Sequence, residues 1–235
     1  MIRIENLLKK YGDTVATDIG ALNIDKGEIW GLVGNNGAGK TTLLRLMLDL
    51  LKPDRGQIFS VSVPVSKSEH WKEYTGSFID NNFLIEFLTP KEYFEFIGKI
   101  YGMKKDELYE KLSSFSHFFS ISQAEAGKYI RKLSSGFKQK TGIVGALLST
   151  PEVLILDEPY NFLDPSSQII LNKILLSSFQ NSTKTIILSS HNLKHISDIC
   201  TRIALMDKGK IIKDVPNTSE TMADIEDYFN NQTGS

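Results

Sequence analysis

Short apolar and β-branched runs, each closed by a glycine, a proline or a polar cluster, dominate the start of the chain. They lie at Ile2 to Leu7, Ala21 to Ile24, Glu28 to Val33, Gln57 to Val63 and Thr75 to Ile79, punctuated by Gly12, Lys26-Gly27, Pro53 and Gly56. Runs of this length and composition predict strands. One segment among them changes period: Leu43, Leu44, Met47, Leu48 and Leu51 recur at helical spacing and predict a helix from Lys40 to about Leu51, stopped by Lys52-Pro53. From about Leu84 to Leu148 helical patterns take over. Thr89 as N-cap and Pro90 at the first helical position open a helix over Pro90 to Ile97, and a second is predicted over Asp106 to Phe119. The aromatic residues of this stretch, Phe94, Phe96, Tyr101, Phe115, Phe118 and Phe119, are expected in a core rather than on a ligand platform.

After Pro151 strand signals return at Val153 to Leu156, Lys184 to Leu188, Arg202 to Met206 and Lys210 to Ile212, with helices expected at Ser166 to Phe179 and Leu193 to Ile199. Strands alternating with helices predict an α/β fold on a parallel sheet, which the helical stretch interrupts rather than follows. Residues after Lys213 offer only a short helix, Glu220 to Phe229. A length of 235 residues suits one compact domain carrying a modest subdomain. With 27 Lys and Arg against 28 Asp and Glu, the formal net charge of -1 gives no bulk electrostatic reason to expect nucleic acid or anionic lipid as a partner. The single cysteine, Cys200, has no internal disulfide partner and is expected as a small buried apolar residue. No apolar run approaches the roughly 18 residues of a membrane span, and Met1 to Asn6 lacks the apolar stretch of a signal peptide, so a cytoplasmic protein is expected.

The strongest local signal is Gly34-Asn35-Asn36-Gly37-Ala38-Gly39-Lys40-Thr41-Thr42, placed between a predicted strand and a predicted helix. It satisfies G-x-x-x-x-G-K-[ST] in the strand-loop-helix context that gives the pattern its chemistry. Glycines let the backbone wrap so that successive N–H groups of residues 35 to 42 face phosphate oxygens, and the helix N-terminus adds its positive end. Lys40 is expected at the β and γ phosphates, Thr41 at Mg2+ and Thr42 at the α phosphate. The second element is the apolar strand Val153 to Leu156 ending in Asp157-Glu158. Carboxylates at the C-terminal end of such a strand stand where open α/β sheets bind ligands. Asp157 is expected to hold Mg2+ through water and Glu158 to act as general base toward an attacking water.

With what lies between them, these elements resemble the ATP-binding subunits of ABC transporters over roughly residues 1 to 213. Leu133-Ser134-Ser135-Gly136-Phe137 resembles the family signature Leu-Ser-Gly-Gly-Gln, and Asp157-Glu158-Pro159-Tyr160 resembles its Asp-Glu-Pro-Thr. Asn161-Phe162-Leu163-Asp164 looks like the D-loop, His191 matches the switch histidine, and Tyr11, 29 residues before Lys40, matches the aromatic residue that stacks on adenine. Each match alone has a plainer reading, as a helix cap, a turn or a surface histidine. Their order and spacing together do not.

The resemblance implies a P-loop NTPase (RecA-like) α/β core with an N-terminal antiparallel β subdomain and an inserted α-helical subdomain, all within one domain, 1–235. The core would take 1–82 and 150–213, the helical insert 83–149 and a short extension 214–235. It also implies ATP and Mg2+ as cofactors. Two chains, as a homodimer or heterodimer, would enclose two ATP molecules, each held by one chain's phosphate loop and by Ser134, Ser135, Gly136 and Asp164 of the other. A separate transmembrane permease would be docked through the helical insert and the Asp80 loop, placing the protein on the inner face of the membrane. Three departures stand out: Ser135 replaces the first signature glycine, Phe137 replaces the glutamine, and Asp80 stands where the family carries a glutamine that reaches Mg2+. The variant signature resembles that of ABC-2 exporter subunits. The competing reading is a soluble ABC-type ATPase without a permease, in an assembly or regulatory role. Lys40 and Ser134 are 94 residues apart with no sustained heptads between them, unlike chromosome-type members. A catalytically silent subunit is disfavoured by the presence of both Glu158 and His191.

Overall fold

The computed structural model describes residues 1–120, 127–179 and 183–233. In chain order the elements are β1 (Ile2–Tyr11), β2 (Thr14–Ile24), β3 (Ile29–Val33), α1 (Lys40–Met47), β4 (Arg55–Ser60), β5 (Val63–Pro64), α2 (Trp71–Tyr74), β6 (Thr75–Phe78), α3 (Pro90–Ile100), α4 (Lys105–Ser114), α5 (Ser135–Leu147), β7 (Val153–Leu156), α6 (Pro165–Phe179), β8 (Thr185–Ser190), α7 (Leu193–Ser197), β9 (Arg202–Asp207), β10 (Lys210–Pro216) and α8 (Ser219–Thr233). They form two compact units. One is built from Met1–Trp71 and the chain from Thr185 onward, the other from Lys72–Lys184. The division differs from a purely helical insert at 83–149, because β6 and β7 fall in the second unit. There α5 lies tightly on β6: the Phe78 ring fills the space where Gly142 would carry a Cβ, and the Ala146 carbonyl does the same at Gly76.

In the first unit β2-β1-β4-β5 form an antiparallel sheet. Ile2, Ile4 and Leu7 of β1 stand opposite Ile24, Leu22 and Ile19 of β2, all buried. β1 runs on to Tyr11 and β2 begins at Thr14, longer than the apolar runs predict. Beyond Leu7 the pairing, such as Lys10 with Val15, is carried by backbone hydrogen bonds while Lys10, Tyr11, Thr14 and Val15 are all exposed, so no alternation marks it. β3 lies between β8 and β9, parallel to both, with β10 antiparallel at the edge of β9. Its five residues are all buried, the continuous apolar run expected of a parallel strand covered on both faces.

Helix α1 ends at Met47, short of Leu51. Asp49 takes a left-handed φ of 51°, the Asp49 N–H donates to Leu46 O at 3.2 Å and the Leu50 N–H to Arg45 O at 2.9 Å. That pair of bonds is a Schellman stop, which closes the helix before Pro53 can. The C-terminal helix α8 covers more than the predicted Glu220 to Phe229. Ile225 anchors it in the core, and the Tyr228 hydroxyl donates to Asp207 Oδ2 at 3.2 Å. Cys200 is buried as expected, and burial pushes its thiol pKa up.

In the second unit β6 and β7 pair in parallel, Thr75 with Val153 and Phe78 with Leu156. Helix α3 opens with the full reciprocal cap: Thr89 Oγ1 accepts from the Glu92 N–H, and Glu92 accepts from the Thr89 N–H at 2.8 Å. The expected aromatic core is only partly realised. Phe94, Phe118 and Phe119 are buried, with Phe94 and Phe119 edge to face at 5.3 Å between centroids. Phe115 is half-buried, while Phe96 and Tyr101 are exposed. Helix α4 also stops at Ser114, so Phe118 and Phe119 enter the core from a turn, with both N–H groups donating to Phe115 O.

A polar clamp joins the sheets of the first unit. Arg202 on β9 donates to both carboxylate oxygens of Asp214 on β10, to Glu28 and to the Asn23 carbonyl, and Trp30 Nε1 donates to Asp214 Oδ1 at 3.3 Å. About a quarter of the Arg202 side chain stays in water, so truncation should cost less than the 3–5 kcal/mol of breaking a fully buried pair. Arg202→Ala is expected to lower unfolding free energy by about 2 kcal/mol, read as a lower urea midpoint with unchanged slope.

Candidate functional site

The phosphate loop and His191 follow the ends of β3 and β8. Val33 pairs with Ser190 on the parallel β8, so Gly34 and His191 leave the sheet at the same level. Between Gly34 and α1 the chain makes a loop that needs two left-handed glycines, Gly37 at φ 84° and Gly39 at φ 108°. A Cβ on Gly39 would stand 2.2 Å from Ala16 O and 2.8 Å from the Met206 side chain. The floor of the loop is therefore β2 and the β9–β10 turn. That turn is fastened to the loop, with the Gly209 N–H donating to Ala38 O at 2.8 Å and the Asp18 N–H to Gly209 O at 2.7 Å.

Gly39 is also the cap residue of α1, so no cap side chain takes the N–H groups of the first turn. Lys40 is buried, and its Nζ donates to Gly34 O at 2.7 Å and to Asn35 O at 3.3 Å. An ammonium folded against its own loop beside a helix start with no capping side chain has the chemistry to receive a multiply charged anion. Asn35, Asn36 and Gly37 are exposed, Ala38 is buried, and Thr41 and Thr42 are half-buried. Tyr11 closes β1 with half its surface exposed, and the Lys9 ammonium lies 5.8 Å from its ring centroid. His191 is exposed beside a cleft of about 510 Å3, lined also by Asn192, Leu193, Glu226, Phe229 and Asn230.

The second unit holds the carboxylates and the signature. Asp157 follows β7, buried, with its N–H donating to Phe78 O at 3.0 Å. Glu158 has a left-handed φ of 46°, and its carbonyl accepts from Gln139 Nε2 and from the Asn161 N–H, each at 3.1 Å. Phe162 is left-handed too, at φ 62°, and well exposed. Asp80 stands two residues past Phe78 as Glu158 stands two past Leu156, so both leave paired strands at one level. Asp80 Oδ1 accepts from the Asn82 N–H at 2.6 Å, which commits one of its oxygens to the local turn. Asp164 caps α6: Ser166 Oγ, Ser167 Oγ and the Ser167 N–H all donate to it, and these bonds, with Lys140 nearby, hold its carboxyl well below the usual range.

Ser134 is the N-cap of α5, its Oγ accepting from the Phe137 N–H at 3.3 Å. The helix runs over Ser135–Leu147, within the stretch where helical patterns are expected. Ser135 is exposed, whereas Gly136 lies so near the turn after β7 that an added Cβ would be 2.7 Å from Phe162 O. The Phe137 ring packs 5.2 Å from that of Phe119, which accounts for an aromatic residue here. Sequence reasoning missed Gln139 and Lys140. Gln139 is a buried amide in an otherwise apolar helix face, and Lys140 Nζ lies 3.8 Å from Asp164 Oδ2. A polar residue at a buried helical position is the signal that could have found Gln139.

Residues 19–161 match the family model described as ABC transporter. The chain is similar to the ABC transporter ATP-binding protein YhaQ of Bacillus subtilis, 33% identical over 89% of this chain and 69% of the relative. It is also similar to the methionine import ATP-binding protein MetN 3 of Bacillus cereus, at 35% over 92% of this chain and 66% of the relative. A third relative is the bacitracin transport ATP-binding protein BcrA of Bacillus licheniformis, at 34% over 92% and 70%. The chain thus spans about two thirds of the length of these relatives. Among solved structures, the dimeric ABC transporter cassette MJ0796 matches with a TM-score of 0.82 at 22% identity, covering 93% of this chain and 100% of that one. CbiO1 of Clostridium perfringens, part of the ABC transporter complex cbiONQ, matches with a TM-score of 0.75 at 28% identity, covering 96% and 91%. The fold is that of an ABC ATPase cassette, α/β with an antiparallel β subdomain and helical content, as expected of a P-loop NTPase.

The contact at Gly136 separates the two signature positions. Gly136→Ala is expected to displace the turn at Phe162 and cost about 1–3 kcal/mol of stability, whereas Ser135→Gly, at an exposed position, should change it by no more than about 0.5 kcal/mol. Urea unfolding of the two variants side by side measures the difference.

Proposed function

Since the chain belongs to the ABC transporter family of ATP-binding proteins, we propose that it binds and hydrolyses ATP as a dimer and drives a separate transmembrane permease. The observation that carries this reading is the phosphate loop: two left-handed glycines, a helix start with no capping side chain, and the buried Lys40 ammonium 2.7 Å from Gly34 O. In this reading Lys40 leaves its carbonyl partners for the β and γ phosphate oxygens, and the N–H groups of residues 35 to 42 take the remaining oxygens. Tyr11 stacks on adenine. Ser134, Ser135, Gly136 and Asp164 complete the other chain's site, since each chain has one loop and one signature.

Bound Mg2+ supplies charge neutralisation at the phosphates. Thr41 and Asp157 would hold it, with Asp80 contributing through water. Among the described residues no three of His, Cys, Asp and Glu cluster to hold a metal unaided. That fits an ion completing its oxygen shell from phosphate and water. Glu158 takes the proton of the attacking water, and His191, the match to the family's switch histidine, is the second catalytic residue.

No helix among the described residues is long and apolar enough to cross a membrane, so transport in this reading needs a spanning partner. Exposed Phe83 and Phe87 after Asp80, with Phe96 and Ile100 on α3, support docking through that loop and the helical region. The expected setting is the cytoplasmic face of the membrane. Export rests on the variant signature. The likeness to MetN 3 draws toward import, and solute flux in vesicles decides between them.

Two variants and one purification test the reading. Lys40→Ala is expected to weaken ATP binding at least tenfold; unchanged affinity in a titration would refute the role of the loop. Glu158→Gln should bind ATP with parental affinity, lose turnover by about 100-fold or more and accumulate as dimer in gel filtration. Tagged protein should co-purify from membranes with a polytopic partner, and recovery only in a permease-free complex favours the soluble alternative.

A further inference from the structure

The turn that carries Glu158 is gripped from one side by α5. Two of its residues, Glu158 and Phe162, are left-handed without being glycine, a conformation that persists only where the surroundings over-determine it. The holding contacts come largely from the first turns of α5. Gln139 Nε2 donates to Glu158 O at 3.1 Å, the Gly136 backbone abuts Phe162 O, and Lys140 Nζ faces Asp164 at 3.8 Å. Gln139 is only 4% exposed, and it is followed on α5 by a buried run from Thr141 to Leu147. An amide there costs more to bury than leucine or methionine unless its hydrogen bond is made. Its presence is explained by the Glu158 carbonyl.

We propose that Gln139 is a positioning residue for Glu158, and that through it α5 links this chain's carboxylate to the anion site at the helix's own N-terminus. The inference rests on the reading above, in which Glu158 is the base and Ser134 to Gly136 meet a phosphate held by the partner chain. Ser135 and Gln139 are four residues apart and so share one face of α5. A helix of 13 residues moves as a rod, so a displacement of its first turn toward an anion is carried to Gln139 and from there to the backbone of Glu158. Occupancy of one composite site is thereby reported to the carboxylate of the other.

The test compares Gln139→Met, which keeps the volume and loses the donor, with the parental full-length protein. Steady-state ATPase rates are normalised to the fraction that binds ATP. The expected result is a five- to tenfold lower kcat, the order of one lost hydrogen bond. KM should stay within twofold, and the Hill coefficient for ATP should fall toward 1. Gln139→Leu should repeat this, which separates loss of the donor from a packing fault of one side chain. Parental kcat in both variants, while Glu158→Gln is inactive, would overturn the link and leave the function intact. A fall in kcat that tracks lost stability or lost ATP binding would make Gln139 purely structural and overturn the proposal. Parental turnover in Glu158→Gln would remove the base assignment itself, and the inference with it.

Discussion

Helix α1 starts where the chain leaves no room for a side chain, and that constraint falls on Gly39. Its φ of 108° excludes an L-residue at low cost, and Ala16 O and Met206 leave no room for one. The elements around it are arranged to keep that conformation. β2 supplies Ala16, β9 supplies Met206, and the left-handed pair Lys208 and Gly209 turns the chain so that the Gly209 N–H reaches Ala38 O. The loop is thus set by the strands beneath it rather than by its own sequence alone. α8 belongs to the same support, because Tyr228 holds Asp207 at the start of that turn.

The second unit solves the opposite problem. The chain turns sharply after β7 at a residue that is not glycine, and Glu158 adopts the left-handed region at a cost of roughly 1–2 kcal/mol. Two hydrogen bonds to its carbonyl, from Gln139 and Asn161, are each worth about 1 kcal/mol and offset that cost. Phe162 meets the same difficulty a few residues on. There the chain is held by the absence of a side chain at Gly136 and by the capping bonds of Asp164. At Gly39 the strain is avoided by composition, and at Glu158 it is balanced by a neighbouring helix.

This contrast explains what could be read in the sequence. β3, the loop and the start of α1 were legible because an apolar run, fixed glycine spacing and a helical period coincide there, and Thr89-Pro90 marked α3 for a similarly local reason. The tip of the β1–β2 hairpin was not, since backbone pairing carries it while its side chains face water. The end of α1 depends on Asp49 turning left-handed, which proline punctuation cannot signal. Phe96 and Tyr101 look like core residues by type, and only the packing of α3 shows that they face outward. Gln139 and Lys140 escaped for another reason: their partners, Glu158 and Asp164, lie across a tertiary contact, which residue type alone does not announce.

The three departures from the family pattern acquire physical content from their surroundings. Phe137 is not an idle replacement for glutamine, because its ring extends the Phe94–Phe119 stack and ties the start of α5 into the aromatic core. Ser135 adds an exposed hydroxyl without touching the turn, so the close approach at Phe162 depends on Gly136 alone. Asp80 is short enough to bond the N–H two residues on, a turn that aspartate makes more readily than glutamine because one methylene fewer keeps the carboxylate close to its own backbone. The chain therefore turns directly after β6, and the segment that follows presents Phe83 and Phe87 to solvent. A glutamine at this position would have left the turn to backbone bonds alone. In this chain the residue that faces the carboxylate end of β7 also shapes the apolar surface beyond it, so any partner seated on Phe83 and Phe87 acts on Asp80 through a loop only a few residues long.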